Sequence, residues 1–135
     1  LQIVAAVRGV ASGSFANYIK DFEEKEYDDQ LLGELKQQLL DARGRIDEAI
    51  AFIKTKSSSY LDLAGRRLVD SAIDVIIGHL FLGQGTACER KKRVARRFIE
   101  SRMSLLRMNC EQIIAGDMAA MEEYEVLAGP VPTTD

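Results

Sequence analysis

The chain has 135 residues, 47% of them apolar and 29% charged, with a formal net charge of −3. That length predicts one domain with a sizeable core, and the composition excludes wholesale disorder. The slight acidity gives no support to nucleic acid as a partner.

The first proline is Pro130, which favours long uninterrupted helices before it. Leu1 to Val7 already reads as helix without a capping residue ahead of it, so the sequence is expected to be a piece of a longer protein. Helix one is predicted from there to about Glu24, burying Ile3, Val7, Val10, Ala11, Phe15, Tyr18, Ile19 and Phe22. Gly9 and Gly13 predict either close approach of a neighbouring helix or a kink near Ser12-Gly13-Ser14.

A second helix is expected to begin at Asp28 or Asp29, where a carboxylate can cap free amides, and to reach about Lys56. Leu32, Leu35, Leu39, Ala42, Ile46, Ala49 and Ile53 recur three and four residues apart, tracing one narrow stripe. Such a stripe marks a helix packed in an antiparallel bundle.

The serines from Ser57 to Ser59 predict a turn, with Ser59 and Asp62 as a capping pair. Helix three is expected from Tyr60 to Leu82, burying Leu61, Ala64, Leu68, Ala72, Val75 and Leu82. Gly83-Gln84-Gly85 should close it through left-handed glycine. Thr86 and Glu89 spell a capping box for helix four, which carries Ala95, Phe98, Ile99, Leu105, Leu106 and Ile113 to about Ala115. Asp117 would start a short fifth helix over Met118 to Leu127, and the remainder reads as an extended tail.

The expected fold is therefore all-α: an up-down four-helix bundle with a short fifth C-terminal helix. One domain over 1–129 and a tail over 130–135 are predicted. Nothing approaches 18 consecutive apolar residues, so no membrane span is expected; Ala72 to Leu82 is interrupted by Asp74 and His79. No secretory signal is expected, and Cys88 and Cys110 read as free thiols in a reducing, cytoplasmic setting.

Chemistry is sparse. One histidine, His79, cannot supply the paired Glu-x-x-His motifs of a di-metal bundle, and Cys88, Cys110 and His79 lack zinc-ligand spacing. His79 is expected to be a satisfied core residue. Gly83-Gln84-Gly85 follows a helix and lacks a phosphate-loop lysine. No catalytic, cofactor-binding or metal residue is assigned.

One surface signal remains. Arg90, Lys91, Lys92, Arg93, Arg96 and Arg97 place six positive charges in eight residues near a helix start, where the dipole disfavours them. They are candidates for contact with an anion or partner. Asp21, Glu23, Glu24, Glu26, Asp28 and Asp29 are expected at the same end of the bundle.

The stretches Leu68 to Gly85 (LVDSAIDVIIGHLFLGQG) and Glu89 to Ile99 (ERKKRVARRFI) resemble the C-terminal helical domain of some acyl-CoA dehydrogenases. Ile114 to Asp117 and Glu125 to Pro130 are similar to its closing stretch, so the resemblance covers roughly residues 60–130. It implies a parent flavoenzyme that removes hydrogens across the Cα–Cβ bond of an acyl-CoA thioester. There a glutamate takes the α proton and FAD takes the β hydride, both housed in a preceding core. No residue here inherits a catalytic role, and acyl-CoA is reached only through the parent. The resemblance implies packing on that core or on partner subunits, as a homo-oligomer, with contact to a membrane surface. The alternative is a stand-alone helical interaction module using its basic helix.

Overall fold

The computed structural model describes residues 9–10, 13–56 and 58–115, apart from the side chains of Ser58, Leu61 and Leu63. The expected starting segment, Ile3, Val7, Ala11, Leu61, the fifth helix and the tail lie outside those described residues. Among the described residues, after a helical stretch at 9–10, four helices follow one another: α1 Ser14–Glu24, α2 Gln30–Ile53, α3 Ser58–Gly85 and α4 Glu89–Ile114. No strand occurs among the described residues. The all-α bundle stands.

Gly13 breaks the first helix. Its φ is +97°, and open space surrounds the place where a Cβ would stand. The kink is therefore the right account of this glycine, and close approach of a neighbour is not. Phe15 and Ile19 bury, but Tyr18 turns outward at 57% exposure and packs edge-on to Phe22. The apolar stripe expected through Tyr18 is thus narrower than the spacing suggested.

Asp29 caps α2 as expected, accepting a hydrogen bond from the Leu32 amide at 3.1 Å. All seven residues of the α2 stripe are buried. They pack against both α3 and α4, which also pack on each other. α1 rests on this trio more lightly, with Phe22 against His79 of α3 and Glu23 bonded to Arg43 of α2 at 2.7 Å. Lys25 reaches Gly83, so α1 runs parallel to α3.

Three helix-end expectations fail. α3 begins at Ser58, so Ser59 lies inside the helix and not at its cap position. It also continues through Gly85, and Gly13 is the one described glycine with positive φ. Gly85 serves packing instead: a Cβ there would stand 3.3 Å from Lys92 Cα and 3.0 Å from Leu32 Cδ2. Gly78 is similar, its missing Cβ lying 2.7 Å from Leu39 Cδ2. The third failure is the Thr86–Glu89 box. Cys88 occupies the cap of α4 without a side-chain bond, while Thr86 Oγ1 donates to Gly83 O at 2.8 Å.

α4 buries Ala95, Ile99, Met103, Leu106, Cys110 and Ile113. Met103 and Cys110 take places in the core, whereas Leu105 is exposed and Phe98 is half-buried. α3 and α4 are antiparallel, joined by Phe81 on Phe98, by Asp74 with Arg102, and by Tyr60 Oη donating to Ile113 O.

Candidate functional site

The basic run divides once its surroundings are drawn. Lys92 Nζ bonds Asp29 Oδ2 at 2.7 Å and Glu89 Oε1 at 3.1 Å. The hydrogen bond to Asp29 raises the Lys92 pKa, and the same bond holds the Asp29 carboxyl below its usual range. Arg93 pairs with Glu89 at 3.3 Å, and Arg96 with Glu100 at 3.3 Å. Arg90, Lys91 and Arg97 are exposed and make no ion pair among the described residues.

Little of the expected acidic counterpart meets the basic run. Asp29 alone reaches the basic run; Glu23 goes to Arg43, and Glu26 sits 3.5 Å from Lys36. Burial raises the Glu23 pKa, opposed by the Arg43 charge. Arg90, Arg93 and Arg97 surround Val94, which is 47% exposed, at a shallow depression of 480 Å³.

A second groove of 440 Å³ runs between residues 25–29 and the start of α4. Its charged lining is Lys25 and Lys92 against Glu26, Asp28, Asp29 and Glu89. Four carboxylates against two amines do not fit the pyrophosphate of a flavin dinucleotide. Cys88 lines this groove, but His79 does not, so the pair offers no thiol–imidazole arrangement. Burial pushes the Cys110 thiol up to about 11, which leaves it an inert core residue. Among the described residues no three His, Cys, Asp or Glu side chains converge as metal ligands would.

His79 corrects an expectation. It is 1% exposed, and neither ring nitrogen meets a hydrogen-bond partner among the described residues. Burial drives its pKa down to about 4, assisted by the Lys36 charge, so it is a neutral ring sealed under Phe22.

The feature that spacing did not single out is the outer face of α3. Between Asp70 and Gln84 its exposed positions are Ile73, at 45%, and Leu80, at 46%. Val69, Ile76, Ile77 and Phe81 are half-buried around them. The helix is apolar on its outside as well as its inside, a signal present in the sequence and masked by attention to the core stripe. Ala64–Gly85 is consequently long and apolar enough to cross a membrane by length and composition. Its inner face is instead packed in the bundle and includes buried Ser71, Asp74 and His79. Burial raises the Asp74 pKa against the opposing hydrogen bond from Arg102.

A family model described as "Acyl-CoA dehydrogenase C terminal" matches residues 11–115. The chain belongs to that family. The match spans all four helices, so the resemblance that rested on α3 and α4 extends to the whole bundle. A crystal structure of an acyl-CoA dehydrogenase family protein from Porphyromonas gingivalis has a similar fold, with a TM-score of 0.67 at 22% identity. That similarity covers 82% of this acyl-CoA dehydrogenase C-terminal domain and 93% of the solved chain. None of the curated proteins matches it.

Proposed function

We propose that this domain is the non-catalytic packing domain of an FAD-dependent acyl-CoA dehydrogenase-like oxidoreductase. The observation that carries the reading is the outward apolar face of α3, with Ile73 and Leu80 exposed on a bundle of the acyl-CoA dehydrogenase C-terminal family. An outward apolar face beyond what the bundle core needs belongs against a partner surface. Flavin and acyl-CoA would be held by the rest of that enzyme, and the chemistry of dehydrogenation would take place there. The free thiols of Cys88 and Cys110 suit a reducing, cytoplasmic setting.

The absorption spectrum of the full-length gene product tests this. Flavin bands that bleach when an acyl-CoA is added are the expected result, and a colourless product would contradict the reading. A second reading, contact with a membrane surface, is favoured by the unpaired charges of Arg90, Lys91 and Arg97. Flotation of the chain with phosphatidylserine vesicles, absent with neutral ones, is its expected signature.

A further inference from the structure

We propose that residues 118–127 of this same chain lie back along α4 as a helix and cover Leu105 and Met108. These two side chains share one turn of α4, and both are exposed. The core has no use for them, since α4 enters it through a different stripe that includes Ile99, Met103, Leu106 and Cys110. Arg102, one turn before Leu105, reaches Asp74, so the exposed pair borders α3. The other flank of α4 is charged: there Arg107 shares a groove with Asp41, Arg45 and Glu48 of α2.

The chain that follows α4 has the pattern to fill this place. α4 ends at Ile114, and the family match closes at residue 115. Gly116-Asp117 comes next, a helix breaker followed by a capping residue. Ala120, Met121, Tyr124 and Leu127 then recur at helical spacing on one face, and Glu122, Glu123 and Glu125 fall outside it. A connection this short favours an antiparallel neighbour. A helix of ten residues is about 15 Å long. Turned back at Gly116, it runs beside the last ten residues of α4, the stretch that holds Leu105 and Met108.

Charge favours the same seat. Residues 116–135 contain five carboxylates and no cation, so all 18 Lys and Arg lie before them, against 16 carboxylates. Around the patch, Arg66 with Asp70, Arg102 with Asp74 and Arg45 with Glu111 are already paired. Arg67 and Arg107 are exposed and make no ion pair among the described residues. Arg67 lies seven residues from both Tyr60 and Asp74, on the stripe of α3 that meets α4 at Ile113 and Arg102. It therefore stands level with Met108, whose neighbour in sequence is Arg107. The two arginines flank the apolar pair at the height that Glu122 and Glu123 reach on the returning helix. Asp62 is exposed closer to the start of α3, level with Met118 and not with the glutamates.

The test uses the full chain. Hydrogen exchange read by mass spectrometry should find the amides of residues 119–127 protected. Leu105→Ser/Met108→Ser should quicken their exchange about tenfold. Both substituted sites are exposed, so protection within α2 and α3 should stay native. Cysteine pairing then identifies what covers the patch. In a Cys88→Ser background, Met108→Cys/Met121→Cys should close a disulfide within one chain on mild oxidation. Tyr18→Cys/Met121→Cys should not, because Tyr18 is exposed on α1.

Unprotected amides in residues 119–127, or protection that survives Leu105→Ser/Met108→Ser, would overturn the proposal. So would a disulfide formed only between two chains, which would assign the cover to a second copy. Equal rates for the two cysteine pairs would overturn it as well, since the segment would then have no fixed seat. All these outcomes leave the flavoenzyme reading to its own test, the flavin spectrum.

Discussion

α2 and α3 are neighbours of similar length with opposite outward faces. α2 buries one narrow stripe and exposes Glu34, Gln37, Asp41, Asp47 and Glu48 to solvent. α3 buries a stripe of its own, yet between Asp70 and Gln84 the positions it exposes are Ile73 and Leu80. Both helices meet the demands of the core, so the core cannot account for the second apolar face. Apolar surface beyond what the bundle needs is the mark of a partner, and it lies on the helix that spans the centre of the family match.

The comparison predicts unequal responses to truncation. Leu39→Ala, in the sealed α2 stripe, should cost about 2–5 kcal/mol in urea unfolding, because the void left beneath Gly78 cannot refill. A loss under 1 kcal/mol would mean that the α2 seam is looser than its burial shows.

The inner face of α3 is sharpened by acid. His79 is held neutral by burial, with a folded pKa of about 4 against an ordinary 6.5. Between those values the unfolded chain binds more protons than the folded one, so stability rises with pH. The contribution is fully present above pH 6.5 and is lost as pH falls towards 4, on the order of 3 kcal/mol in all. His79→Leu should remove that slope, which stability measured at pH 7 and pH 4.5 would reveal.

Arg102→Ala comes next. It strands the Asp74 carboxylate, whose side chain is only 10% exposed, and should cost about 1–3 kcal/mol by the same unfolding measurement. Glycine replacement should separate solvent-facing from packed positions. Gly44→Ala, on the exposed face of α2 with open space around it, should gain about 1 kcal/mol. The same change at Gly78 should lose stability, because the new Cβ meets Leu39 in the core.

Much of this architecture was legible in the sequence, and the errors have a common origin. The α2 stripe and the Asp29 cap are local signals, and both hold. Gly83-Gln84-Gly85 misleads because glycine ends helices and also admits close neighbours; only the position of Lys92 decides between the two. Thr86 and Glu89 have capping-box spacing, yet Thr86 turns back to Gly83 and Glu89 is taken by Lys92 and Arg93. The basic run is visible as charge, but which cations are spent depends on Asp29, 63 residues from Lys92 and brought beside it by the fold. The outer face of α3 was written in Ile73, Ile77 and Leu80, but spacing alone does not tell a second face from a broad first one.

The most direct test of the α3 face compares sedimentation of the native chain with Ile73→Ser/Leu80→Ser. Both sites are nearly half exposed, so the variant should keep its native helical circular dichroism. The native chain should sediment above the monomer mass and the variant at the monomer mass. Equal masses for the two would contradict the claim that α3 carries its second apolar face for a partner.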